Sequence, residues 1–343
     1  MNDKAGKSGI ITGGSWCADH NRLVERWPEE ESLVKIISDE FRGGGSACNL
    51  AIDIKRLDPN LPVSTIGLLG DDADGHALRK QAETEGLDCS LLATHAGQQT
   101  SFTDAYTSQD TTRRTHLFYA GTSDHLTPDH FDFTHVDAKI LHLGLPGLHN
   151  LLDGEWNGDE NGWVTVLRKA QSKGLKTNLE LCSLPPEMLK ELVTPCLQQL
   201  NYLIINEYEI AAVAGNPVGH DGDTDIETCI SNARHVISNS PLELVIVHFP
   251  GGAVAITRQG EVEHHASVNV PPDQIAGTNG AGDAFAAGAL YGLHEGWPLH
   301  QTLQLAHASA AASIRHIGTT DAVVGWAECL ELASQHGWRD LQN

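Results

Sequence analysis

Along most of the chain, short runs rich in β-branched residues alternate with stretches of helical periodicity. Residues 9–12, 63–68, 140–143, 176–179, 202–205, 244–248 and 253–257 read as strands. Residues 47–57, 76–85, 164–173, 207–214 and 227–238 read as the helices between them. Parallel strands need long crossover connections, and helices supply them, so this alternation restricts the fold to a mostly parallel sheet covered on both faces. Residues 280–295 and 302–315 are rich in Ala, Gly and Ser and read as helices suited to close packing.

Two segments break the alternation. Residues 22–42 and 100–119 carry strand-like patches with many charges and threonines, which suits a small, half-exposed sheet rather than core. Residues 151–162 and 219–225 are acidic and Gly-rich and read as surface loops. No repeat or low-complexity linker divides the chain, so residues 1–343 are expected to form one domain with the small sheet appended.

A net charge of −23 and a pI near 5.1 repel polyanions, and the closest approach to a basic run is Arg113-Arg114. Nucleic acid is therefore excluded as a partner, whereas a nucleotide can still be held by backbone amides and a metal. The seven cysteines are scattered without a C-x-x-C pair, which fits reduced thiols better than a disulfide framework or zinc knuckle. The first residues lack the apolar core of a signal peptide, and no apolar run approaches the roughly 18 residues of a membrane helix. A soluble, cytoplasmic protein with no membrane partner is expected. The nineteen histidines are dispersed, without the helical pair spacing of a metal motif. His264 and His265 are neighbours and point to opposite faces of a strand.

Gly6-Lys7-Ser8 looks like the end of a phosphate-binding P-loop, but the first glycine of that motif would fall on Met1 and no strand precedes it. A dinucleotide fingerprint is missing after the first strand. The informative segment is Gly277-Thr278-Asn279-Gly280-Ala281-Gly282-Asp283-Ala284-Phe285. Glycines running into a helix leave amide N–H groups free for an anion, and small residues let a phosphate approach closely. Taken alone, the same residues also describe a Gly-rich turn whose Asp complements the helix dipole.

This segment resembles the C-terminal signature of the ribokinase-like carbohydrate kinases, the phosphofructokinase-B family. The resemblance implies an anion hole at Gly280, Ala281 and Gly282, with Asp283 as the catalytic base. Further segments match in order. Gly44-Gly45-Ser46-Ala47-Cys48-Asn49 is similar to the family's sugar-binding G-G-x-x-x-N. Gly14 to Asp19 resembles its first strand-turn, which assigns substrate hydroxyls to Asp19. Gly67-Leu68-Leu69-Gly70-Asp71-Asp72 with Gly75 resembles the G-x-x-G-D-D-x-x-G turn, and the helix around His307 resembles the one that borders adenine. Asn206-Glu207-Tyr208-Glu209 opens a helix after a strand, where Asn as N-cap and Glu at the third position form a capping box. In the family, N-x-x-E at this place positions metal-bound water and phosphates. Glu180 stands where relatives carry Asp or Asn near the phosphates.

The resemblance thus implies a three-layer α/β/α ribokinase-like sandwich with a small β-sheet lid from about 22–42 and 100–119. It implies a kinase moving the γ-phosphate of ATP to a hydroxyl of a small sugar. Asp19, Gly44, Gly45 and Asn49 would bind the sugar, and Thr278, Asn206, Glu209, Gly252 and His307 the nucleotide. Mg²⁺ would accompany ATP, held through water by Glu209 and Glu180, and a homodimer would join through the lid. A nucleoside kinase of the same family is the rival, with Trp16 available to stack on a base. A non-catalytic sugar-binding protein and a vitamin kinase are further alternatives. Gly277 stands where relatives carry an Asp that helps hold an activating monovalent cation, so activation by potassium is expected to be weak or absent. Ser46 replaces the Lys of ribokinase proper, Gly144 falls at a substrate-binding Glu, and His248 to Gly252 departs from the T-L-G-x-x-G nucleotide loop.

Overall fold

The computed structural model describes residues 8–111, 113–218 and 224–340. The chain begins with β1 (Gly9–Gly14), β2 (Cys17–Val24) and β3 (Ile36–Gly44), followed by α1 (Ser46–Leu57), β4 (Val63–Gly70), α2 (Ala73–Thr84) and β5 (Asp88–His95). A hairpin of β6 (Phe102–Ser108) and β7 (Arg114–Tyr119) precedes β8 (Ala138–Gly144). Next come α3 (Asn150–Asp153), α4 (Gly162–Ser172), β9 (Lys176–Leu179), α5 (Pro186–Val193), β10 (Tyr202–Asn206), α6 (Glu207–Val213) and α7 (Ile226–Ser238). β11 (Leu244–Phe249), β12 (Gly252–Thr257) and β13 (Val262–Ala266) lead to α8 (Ala281–Glu295), α9 (Leu299–Ser313) and α10 (Trp326–His336).

Nine strands form one sheet in the order β13-β12-β11-β10-β9-β8-β1-β4-β5. Every pair from β5 to β11 is parallel, and β12 and β13 add an antiparallel edge. Consecutive strand residues enter opposite cores, as a sheet covered on both faces requires. Ile10, Ile204 and Ile246 pack with α1, α2, α8, α9 and α10, while Ile11, Leu203 and Val245 pack with α4, α5, α6 and α7. The chain is therefore a three-layer α/β/α sandwich.

The small sheet has the order β3-β2-β6-β7, with β2 and β6 parallel. It begins at Cys17 rather than near residue 22, because Cys17 and Ala18 are already paired with Gly44 and Gly43. Asp19 therefore lies within the lid, not in the turn after the first strand. Residues 151–162 are also more ordered than a surface loop. Leu152 is buried, and Asn161 caps α4 by accepting from Val164 N–H at 3.0 Å. The Asp153 carboxylate gathers Gly147 N–H, His149 N–H and Trp163 Nε1–H, so acidic residues here organise a turn. The loop expected at 219–225 falls mostly outside the described residues, though Asp225 caps α7. The Gly6-Lys7 of the rejected P-loop lie outside them too. Among the described residues no helix is long and apolar enough to cross a membrane.

Candidate active site

In an open α/β sheet, ligand-binding side chains gather beyond the carboxyl ends of the strands. Here β1 runs on into β2 and Asp19, β9 is followed by Glu180, and β10 ends on Asn206. The N-termini of α1 and α8 close the same edge through a hydrogen bond from Asn49 Nδ2 to Asp283 Oδ2 at 3.1 Å.

Asp283 occupies the first turn of α8. The N-cap, Gly280, has φ 75°, and a Cβ there would lie 2.5 Å from Thr319 O, so this turn requires glycine. Ala284 N–H donates to Gly280 O at 2.9 Å, while Ala281 N–H is taken by Thr278 O at 3.3 Å. The amides of Gly282 and Asp283 are left without an intrahelical acceptor. Of the residues expected to form the anion hole, Ala281 spends its amide on Thr278 O, and Gly282 keeps its own available.

Asp283 is held from two sides. Thr319 Oγ1 donates to Asn49 Oδ1 at 3.2 Å, fixing the amide that bonds Asp283. The Glu180 carboxyl interacts with that of Asp283. Burial, then the charge of Glu180, pushes Asp283 well above the usual carboxylate range, and burial pushes Glu180 up to about 7. Two buried acids in this arrangement share a proton and titrate as a unit. Beneath them His142 is fully buried and pulled down to about 4 by burial, so it is neutral. Asn178 Nδ2 donates to its Nδ1 at 3.0 Å, which leaves the proton on Nε2, directed at Ser46 Oγ 3.1 Å away. Glu180 Oε2 lies 2.8 Å from that Nε2 yet receives no aligned donor.

Asn206 and Glu209 form the capping box read from the sequence. The Asn206 side chain accepts from Tyr208 and Glu209 N–H, and Glu209 Oε2 accepts from Asn206 N–H at 3.0 Å. Burial pushes Glu209 up to about 7, and its charge reaches Glu180. Asp19, Glu180, Glu209 and Asp283 are each held above their ordinary range chiefly by burial, and charge links Glu209 to Glu180, Glu180 to Asp283 and Asp283 to Asp19. Mg²⁺ prefers oxygen ligands and retains waters, binding through few carboxylates together with phosphates. An orphaned Glu180 oxygen beside Glu209 suits that chemistry. Among the described residues no three His, Cys, Asp or Glu groups converge to cage a metal by themselves.

On the other side, a Cβ on Gly44 would fall 2.2 Å from Asp19 Oδ2, so the Asp19 carboxylate lies across a backbone with no side chain. Burial pushes Asp19 up to about 6, against hydrogen bonds from Thr103 and Cys17. Gly45 is the N-cap of α1. Thr278 is exposed beside the α8 turn, and Gly252 opens β12, paired with Ala266. His307 is buried with Nε2 on His265 O at 3.1 Å, its ring edge-on to Phe285, which in turn lies against His248. Trp16 offers no stacking platform, because it is 1% exposed and its Nε1–H is spent on Thr65 Oγ1 at 3.0 Å. His142 and Thr319 escape sequence reading, since nothing local marks a partner so distant in the chain.

The description "pfkB family carbohydrate kinase" matches residues 8–324. A 5-dehydro-2-deoxygluconokinase of Shouchella clausii is 25% identical over 343 residues, covering 95% of each chain. An adenosine kinase of Schizophyllum commune is 25% identical over 297 residues, covering 84% of this chain and 83% of its own. Arabidopsis thaliana ribokinase, solved with ribose and ATP, superposes with a TM-score of 0.77 at 19% identity, over 95% of this chain and 98% of that one.

Proposed function

Because the chain belongs to the pfkB family of carbohydrate kinases, we propose that it transfers the γ-phosphoryl group of ATP to a hydroxyl of a small sugar, with Asp283 as the base. The observation that carries this reading is the placement of Asp283 in the α8 turn, held by Asn49 and Glu180 beside free helix amides. Asp19 and Asn49 would orient the sugar. The acceptor O–H bond breaks toward Asp283 as the oxygen bonds the γ-phosphorus, and the bond to the bridging oxygen breaks with its electron pair leaving on ADP. Such transfers pass through a loose transition state, so positioning and charge neutralisation carry most of the rate. The amides of Gly282 and Asp283 would receive the charge that develops on the phosphoryl oxygens. Mg²⁺ bound with ATP, held through water by Glu180 and Glu209, would supply further neutralisation of that charge.

Thr278, Gly252 and the His248–Phe285 wall would flank the nucleotide, and His307 would act through Phe285 rather than by contact. The free state of all seven cysteines supports a reducing, cytoplasmic setting. The exposed Leu33, Ile36, Ile37 and Leu117 support pairing of two copies through the lid. A nucleoside acceptor, as the name of the fungal adenosine kinase relative suggests, lacks the platform that Trp16 would have offered.

The test is a coupled ADP assay over a panel of sugars and nucleosides. Asp283→Asn should lower kcat by about 10²–10⁴ while leaving ATP affinity largely intact. A variant keeping more than about a third of the wild-type kcat would refute the role.

A further inference from the structure

Cross-strand pairing fixes which lid residues look into the cleft. Asp19 lies opposite Arg42 and Thr103, and Asn21 lies opposite Glu40 and Ala105. One step further along, Leu23 lies opposite Thr107, which faces Arg114 on β7. Directly opposed residues share a face, so Asp19, Arg42, Asn21, Thr107 and Arg114 project together. Of these, Asn21, Arg42, Thr107 and Arg114 line a cleft of about 110 Å³ together with Ile317 and Gly318.

The charges there are unequally partnered. Arg42 is engaged by Glu40 and Asp321, each at 3.1 Å. Arg22, on the opposite face, is held by Asp104. Arg114 bonds neutral groups, Asn21 Oδ1 at 2.8 Å and Thr107 Oγ1 at 3.3 Å. Among the described residues, the carboxylate whose charge reaches it is Asp19. Burial pulls Arg114 below the usual arginine range, against the charge of Asp19. A half-buried guanidinium without a bonded counter-ion is an incomplete pair, and its planar fork suits a carboxylate or phosphate. The Asp19 carboxyl senses both Arg114 and Asp283. By strand register Arg114 lies on the same face as Asp19 and beyond Asn21, so the end of an acceptor held on Asp19 that points away from Asp283 meets Arg114. The chain's net charge of −23 disfavours anions at large, so a local cation favours the binding of an acidic acceptor.

Resting on the kinase reading above, we infer that the acceptor is a sugar carrying an anionic group, a carboxylate or a phosphate monoester, remote from the hydroxyl that is phosphorylated, and that Arg114 receives this group. The full chain is assayed with Mg-ATP against D-fructose, D-gluconate and D-fructose 6-phosphate, as wild type, Arg114→Gln and Arg114→Lys. One of the two anionic sugars should exceed D-fructose in kcat/KM by at least roughly 30-fold, and which one does so identifies the group. Arg114→Gln should raise KM for that sugar about 10- to 100-fold and move KM for ATP less than about threefold. Arg114→Lys, which keeps the charge and loses the fork, should fall between, and it carries the comparison if Arg114→Gln melts early. A neutral sugar or a nucleoside as best substrate, or a preference unchanged by Arg114→Gln, overturns the inference while the kinase reading stands. If wild type phosphorylates none of these or any panel acceptor, the kinase reading fails on its own. Calorimetric titration of D-gluconate and D-fructose 6-phosphate then decides the inference: binding lost in Arg114→Gln supports it, and no binding overturns it.

Discussion

Asp53 is fully buried in α1, one turn beyond Asn49, and neither carboxyl oxygen has a hydrogen-bond partner. Burial, then the charge of Asp283, pushes it well above the usual carboxylate range, with Arg56 opposing and Glu180 and Glu85 adding to the rise. Asp53→Ala should therefore stabilise the folded chain. Removing an unpartnered buried carboxyl recovers about 1–3 kcal/mol. The gain in helix preference, about 0.5 kcal/mol, roughly cancels the small cavity left behind, of order 0.6 kcal/mol for about 25 Å³. An unfolding entropy near 2.1 cal/mol/K per residue, over 343 residues, converts this gain into a Tm higher by about 1.5–4 °C. The pH dependence has a definite sign. The folded acid holds its proton at pH values where the unfolded acid, near 3.9, has lost it, so stability falls as pH rises above that value. Asp19, Glu180, Glu209 and Asp283 contribute slopes of the same sign in both proteins. The gap between variant and wild type should thus widen from pH 5 to pH 8, read by scanning calorimetry without ligands. A variant destabilised by more than about 1 kcal/mol at pH 8 would refute the reasoning and show that Asp53 satisfies a buried partner.

Three further outcomes follow from the site. In Gly44→Ala the new Cβ would displace the Asp19 carboxylate 2.2 Å away, so KM for the acceptor should rise about 10-fold or more through lost charge-assisted bonds, whereas equal changes in both KM values would misplace the acceptor site. Potassium titrated against choline at constant ionic strength should change kcat less than about twofold, since neutral groups compensate a dehydrated cation poorly. Gly277→Asp, with no atom closer than 3.9 Å to the new Cβ, should introduce potassium activation, and a several-fold potassium response in the wild type would refute this reading.

What the sequence revealed divides by the range of the interactions. The strand at Leu244–Phe249 was legible because a buried strand is largely apolar on both faces, and the turn at Gly280 because glycine and a helix-opening Asp are local signals. The edge strands β5 and β13 were missed. Their solvent-facing residues, such as Asp88, Ser90 and Glu263, dilute the apolar pattern. The lid's first strand was read short because Cys17 and Ala18 look like frame residues, and Trp16 was read as a platform although it belongs to the core. The bonds around Asp283 span 234 residues to Asn49, and Asn49 spans 270 to Thr319, separations that no periodicity encodes. Glu180 carried a weak signal for the same reason, because its importance comes from the carboxyl it meets.

The small sheet enters the chain at two places, between β1 and α1 and between β5 and β8, while Glu180, Asn206 and Asp283 all lie on the larger frame. On the proposed reading, the acceptor contacts other than Asn49 and the groups that would handle phosphate lie in separable stretches of polypeptide. Exchanging residues 17–44 and 102–119 for those of a relative should transplant one without rewriting the other. The graft is limited by its fastenings. Arg42 is tied to Asp321 in the loop that also carries Thr319, and His20 to Asp74 at the start of α2, so a working chimera must bring both anchoring acids along with the lid.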